Sequence, residues 1–360
     1  MKQSRVITIR WKILAVTSIV LLLALWLVQT WGGSTNVGSS PSRSAGTTSL
    51  EQKMDSSPPP FGYGVTVQLQ GQPVTPLLNG VIGMHFNWVR QPLRWQDMEL
   101  AAGQYDWSRL DPVVEEVNAK GLHLLLVIHG TAGAELSRNG PPAELDAWVN
   151  FVTALAGRYA GRVDAYQIYQ DPNLSANWVS PQAYVQLLQA AYQAIKSASP
   201  EAKIVSAGLY PGATEDGLAA MSDVEYLAGI RQAGGANWYD VLGVHLVGVG
   251  NGDDLDYHAL QQDNESPIWL TQVGWACPLA AQEAAGECEE QQAAFLIRAF
   301  EMAEKAPAIQ VVMVDNFNLS TVTPSDPAAD FSLIRADWSA RPAFLQLAQM
   351  RQEQVPTPDG

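Results

Sequence analysis

Cysteine and histidine are scarce in this chain of 360 residues, with two of the first and five of the second. No histidine lies near the cysteines, and no set of His and carboxylates has the spacing of a zinc site. Neither a metal nor a cofactor is therefore expected. A Gly-rich phosphate loop is missing after the first strand-like segment, which leaves a nucleotide-binding sheet without support. Basic residues are few as well: 21 Lys and Arg stand against 36 Asp and Glu. Four of them, Lys2, Arg5, Arg10 and Lys12, precede a long apolar run, so the rest of the chain has 17 against 36, a net charge of −19. Nucleic acids and other polyanions bind through basic patches, so no nucleic-acid partner is expected.

That apolar run, Ile13 to Trp31, holds nineteen residues without a charge. It is long enough to cross a membrane as a helix, and the basic residues 1–12 should remain cytoplasmic. The expected localisation is thus a membrane-anchored protein with everything after Trp31 outside the cytoplasm. The alternative is secretion after cleavage of a signal peptide, whose apolar stretch is ordinarily shorter and ends in a small-residue cleavage site. Residues 32–60 are Gly, Ser, Thr and Pro with almost no apolar residue, which predicts a tether. Ten residues separate Cys277 from Cys288. In an exported chain this pair predicts a disulfide that closes a short loop and stabilises by about 3 kcal/mol in the chain-entropy model.

From residue 61 the composition becomes that of a folded domain. Eight β-rich runs, at 63–69, 81–89, 123–130, 164–170, 203–210, 241–247, 267–275 and 309–317, alternate with amphipathic stretches. Ser108 and Gly121 bracket one expected helix; Ser180, Pro181 and Pro200 bracket another. Eight strand–helix units over residues 61–350, followed by a tail at 351–360, predict a (β/α)8 TIM barrel of the α/β class. In such a barrel the chemistry gathers at the C-terminal strand ends. Those ends carry Arg90, His129, Gln170 and Asp171, His245, Gln272 and Asp315.

Several stretches together resemble the clan of retaining (β/α)8-barrel glycoside hydrolases, of the cellulase and β-xylosidase kind. "WVRQPLRWQDMELAAGQYDWSRLDPVVEEVNAKGLHLLLVI" is similar to its strand 2 to strand 3 segment. "AYQIYQDPN" resembles the stretch that holds Asn-Glu-Pro, "PIWLTQVGW" resembles the Thr-Glu-x-Gly-Trp stretch, and "DFSLIRADWSARPAF" resembles the closing segment. The order is kept throughout. The resemblance places the general acid/base at Asp171, its neighbouring Asn at Gln170 and the nucleophile at Gln272. It also puts Val247 where the clan has a tyrosine that aids the nucleophile. Retaining hydrolysis needs two carboxyl groups flanking the bond, and a carboxamide is a poor nucleophile that brings no negative charge to an oxocarbenium-like transition state.

The leading expectation is an exported glycosidase-like barrel that is catalytically inactive and binds a polysaccharide or oligosaccharide, or serves as a scaffold. The alternative is an active O-glycosyl hydrolase with Asp171 as acid and a base elsewhere, drawn from Asp315, Glu135, Asp253 or Asp254. A third reading, an interaction domain without a sugar ligand, would leave the barrel mouth filled by side chains. Trp178 and Trp275 are the expected sugar-facing aromatics, with Trp88, Tyr169 and Tyr210 as further candidates. Asn173, Asn264 and Asn318 fit the N-glycosylation pattern.

Overall fold

The computed structural model describes residues 61–130, 145–211, 217–248, 266–278 and 285–354. The anchor expected at 13–31, the linker, Glu135, Asp253, Asp254 and Asn264 lie outside the described residues. Among the described residues no helix is long and apolar enough to cross a membrane.

Eight strands form one sheet: β1 (Gly62–Thr66), β2 (Trp88–Arg94), β3 (His123–His129), β4 (Ala165–Ile168), β5 (Lys203–Val205), β6 (Leu242–Gly248), β7 (Ile268–Trp275) and β8 (Ile309–Val314). Their hydrogen-bonded order runs β5-β4-β3-β2-β1-β8-β7-β6. Every ladder between them is parallel. The two ends of that order meet through a parallel bridge between Val205 and Val241, and Ser206 Oγ accepts from the Gly243 amide at 2.9 Å. The sheet is thereby closed into a barrel. Parallel strands covered on both faces read as near-continuous apolar runs, as "HLLLVIH" and "IQVVMV" do here.

Helices α1 (Val74–Gly83), α2 (Asp111–Ala119), α3 (Leu145–Arg158), α4 (Pro181–Ala198), α5 (Asp223–Gln232), α6 (Ala285–Glu304) and α7 (Pro342–Gln354) come between and after the strands. Their apolar stripes and the outward strand residues make the main core. A smaller apolar group, including Leu125, Val205, Trp269 and Met313, fills the barrel itself.

Two local expectations are corrected. The apolar run 81–89 belongs partly to α1, which buries Leu77, Leu78 and Val81, and β2 begins only at Trp88. A short apolar run fits a helix end as well as a strand, and the polar residues Arg90 and Gln91 disguise the strand that follows. Arg90 therefore stands within β2 rather than after it. The helix expected from Ser108 starts at Asp111, with Pro112 in its first turn. Gly121, with φ of 67°, closes it as expected. Ser180 caps α4 by accepting from the Ala183 amide, with Pro181 in the first helical position.

Candidate functional site

Alternation along the strands turns a row of polar side chains into the upper barrel, and Arg90 is their centre. It is fully buried. Its Nε donates to Gln167 Oε1 (3.2 Å), Nη1 to Thr66 Oγ1 (3.2 Å) and Nη2 to Gln170 Oε1 (3.1 Å). These acceptors are neutral, so the guanidinium charge is balanced at longer range by Asp315 and Asp171. Burial lowers the Arg90 pKa to about 10, against the pull of those two carboxylates. It stays charged at neutral pH.

Asp171 and His245 form the first polar pair at the mouth. Asp171 Oδ1 lies 2.8 Å from His245 Nδ1. The backbone there is held in an uncommon shape: Tyr169 has φ of 69° and Asp171 φ of 48°. Asp tolerates the left-handed region, but a bulky tyrosine rarely adopts it, and such residues cluster at ligand sites. The Asp171 amide donates to the Gly208 carbonyl at 2.9 Å. Gly208 is glycine for a steric reason, since a Cβ there would land on the His245 ring. His245 is itself buried, and its Nε2 has no hydrogen-bond partner among the described residues.

The second pair is Gln272 and Asp315. The β6–β7 register slips between Val244 and His245, so that Leu270 faces Val244 while Gln272 faces His245. A bulge of this kind re-aims side chains, and here it leaves Thr271 buried while Gln272 reaches the mouth. Gln272 Nε2 donates to Asp315 Oδ1 at 2.6 Å. Burial raises the Asp315 pKa, and Arg90 and the Gln272 amide oppose that rise. His129, at the end of β3, is pushed down to about 4 by burial and by Arg90 and Arg94, so it is a neutral imidazole at physiological pH.

Arg90, His129, Gln170, Asp171, His245, Val247, Gln272 and Asp315 all line one open cleft of about 600 Å³. Among the described residues no side chain fills the mouth. Trp178 and Trp275 do not line it: Trp178 packs edge-to-face on Tyr226 (5.9 Å), and Trp275 is buried against Phe295 of α6 (5.3 Å). Each ends or follows a strand but turns toward the helix layer, which the sequence position alone does not reveal. Trp88 lies at the opposite end of the barrel and Tyr169 is buried, so Tyr210 is the expected aromatic that does line the cleft. Sequence reasoning missed Gln68, Arg94, Asp97, Asn316 and Phe331, which also line it. Arg94 and Asp97 were hidden by the misplaced start of β2. Phe331 comes from the loop after β8 and sits over Gly274, where a Cβ would be 2.7 Å from its ring.

Cys277 and Cys288 are joined, with Cα atoms 5.6 Å apart. The Cys277 amide donates to the carbonyl of Asp330, next to Phe331, so the disulfide also positions a wall of the cleft. Asn173 and Asn318 are fully buried with their amides in use: Asn173 bonds Tyr210 and Met221, and Asn318 bonds Gln68. Neither is a glycosylation acceptor in the folded barrel. Among the described residues no group of His, Cys, Asp and Glu could hold a metal ion.

No protein-family model matches the chain, and no curated protein matches it in sequence. Its fold has many counterparts among solved structures. A family 39 glycoside hydrolase from the gut symbiont Bacteroides cellulosilyticus WH2 is 19% identical with a TM-score of 0.60, over 81% of this chain and 63% of that one. A glucosidase from Croceicoccus marinus is 14% identical with a TM-score of 0.61, over 81% and 67%. Xylanase 10B from Thermotoga petrophila RKU-1, solved in complex with xylobiose, is 13% identical with a TM-score of 0.58, over 82% and 95%. The chain thus spans less than two thirds of the family 39 enzyme's length. At these identities the likeness is one of fold: this is the barrel that glycoside hydrolases use.

Proposed function

We propose that the barrel mouth binds a carbohydrate without hydrolysing it by the retaining route, and that it does so outside the cytoplasm on a chain anchored through residues 13–31. One observation carries the reading. At the position that the resemblance gives to the nucleophile stands the carboxamide of Gln272, and its nitrogen is committed to Asp315 at 2.6 Å. A neutral carboxamide is a poor nucleophile and brings no negative charge to an oxocarbenium-like transition state. It still presents an amide oxygen to a hydroxyl, as do Gln170 and Asn316 nearby. The open cleft and the neighbours' fold support a sugar ligand over a scaffold without one. Asp315 gains no support as a relocated base, because it is buried and its carboxylate is already bonded to Gln272.

The test is to titrate the full-length chain against a glycan array and, in parallel, to assay it on a panel of aryl glycosides. Binding without turnover is expected. Turnover by the unmodified chain that Asp171→Ala abolishes and Gln272→Ala leaves intact would overturn the inactive reading.

A further inference from the structure

At the barrel's other end, where the strands begin, lies a second hollow of about 650 Å³, as large as the cleft at the mouth. That end of a TIM barrel is ordinarily closed by packed side chains and serves stability. Here, among the described residues, the closing layer is two indoles beside the hollow. Trp88 and Trp269 meet edge-to-face at 4.8 Å, and the His123 ring stacks on Trp88 at 4.7 Å. The neighbouring inward position on β1 is Gly62, where a Cβ would come within 2.8 Å of the Trp88 ring and of Val311. Trp269 Nε1 is turned to Gln310, while Trp88 Nε1 makes no hydrogen bond among the described residues.

The rim is charged but lacks the acidic excess of the chain, with two cations against two carboxylates. Arg162, Lys203 and His123 stand there with Asp164 and Glu201. Both oxygens of Asp164 are already occupied, one at 2.8 Å from His123 Nδ1 and the other accepting the Leu124 amide at 2.8 Å. Lys203 Nζ makes no ion pair or hydrogen bond among the described residues. Arg162 spends Nη2 on the Arg158 carbonyl at 2.8 Å and Glu201 is the open carboxylate, so Lys203 and the rest of the Arg162 guanidinium are the donors left for a ligand. An apolar floor with a few convergent donors is the composition of a small-ligand site.

We propose that this basal hollow is a second ligand site, for a flat apolar ring carrying one anionic group, such as an aryl carboxylate. The ring lies against the Trp88–Trp269 floor, and the anion is met by Lys203 and Arg162 at the rim. The proposal is independent of how the mouth is read, because no residue lines both hollows.

The experiment is calorimetric titration of the full-length chain with 2-naphthoate, with 2-naphthamide as the uncharged ring and cyclohexanecarboxylate as the anion without a flat ring. The naphthoate is expected to bind, and each of the other two to bind about tenfold more weakly, since each lacks one of the two contributions. Lys203→Glu, at an exposed position, should weaken naphthoate about tenfold or more. Arg94→Glu, at the mouth, should leave its binding unchanged. No naphthoate binding, equal binding of naphthoate and naphthamide, or sensitivity to Arg94→Glu instead of Lys203→Glu would each overturn the proposal. The comparison of the three ligands needs no variant, so a folding defect in either substitution cannot shield the idea.

Discussion

Replacing Arg90 by methionine keeps much of the side chain's volume and removes its charge and donors. Gln167, Thr66 and Gln170 each lose a hydrogen bond, at about 1 kcal/mol apiece for neutral acceptors. Asp315 also loses the nearby positive charge that opposes its burial. Removing one member of a buried charge cluster typically costs about 3 to 5 kcal/mol, and the three bonds plus the stranded carboxylate fall in that range. For a domain of this size that lowers the melting temperature by roughly 10 °C. The loss should depend on pH, with a definite sign. Burial holds the Asp315 pKa in the folded state above its unfolded value, so ionising it works against folding as pH rises through that raised value. Arg90 offsets the effect, and without it the folded pKa climbs further. The gap between wild type and Arg90→Met should therefore be largest near neutrality and shrink toward about pH 4, where Asp315 takes up a proton in both folded and unfolded chains. Urea melts at several pH values measure this, and adding Asp315→Asn to the variant should recover part of the loss at neutral pH. A loss under about 1 kcal/mol, or one indifferent to pH, would show that Arg90 does not hold the site together electrostatically.

Three further outcomes follow from the same geometry. Gln272→Glu together with Asp171→Glu should give detectable aryl-glycoside turnover exceeding that of either single change, because the two groups act on one bond; a silent double variant that still binds glycan would point to the missing partner at Val247. Gly208→Ala should destabilise by about 1 to 3 kcal/mol, as overpacking does, and weaken glycan binding by moving His245 off Asp171, with thermal melts and the array as readouts. Cys277→Ser with Cys288→Ser should lower stability by about 3 kcal/mol, and free-thiol labelling of the denatured wild-type chain should find no reactive cysteine.

The barrel was legible because its parallel strands are apolar runs separated by helical periodicity, and because Ser180–Pro181 and Gly121 punctuate that pattern. The one misplaced strand shows the limit. β2 carries Arg90 and Gln91 inside the protein, and a strand whose buried residues are polar looks like a loop. The candidate site was readable position by position where it sits on strand ends: Arg90, Asp171, His245, Gln272 and Asp315 converge on one cleft. What position does not encode is the direction of a side chain at a strand's last residue or beyond it, so Trp178 and Trp275 went to the helix layer and Phe331 to the cleft. Nor does spacing reveal the slip between Val244 and His245 that carries Gln272 to the mouth. The basal hollow left no pattern at all, since Gly62, Trp88, His123, Lys203 and Trp269 come from five separate strands.

Among the described residues the barrel closes between β5 and β6 through one backbone bridge, Val205–Val241, helped by the Ser206 hydroxyl and by Asp240, whose carboxylate accepts from the Ile204 amide at 2.8 Å. Elsewhere full ladders join the strands, so this seam is where transient local opening needs the least free energy. Gly208, His245 and Asp171 sit directly above it, with Gly208 and Asp171 on one side and His245 on the other. A molecule that grips Asp171 and His245 together therefore clamps the seam shut, and amide exchange at Ser206 and Gly243 should slow on binding far more than exchange in β1 or β8.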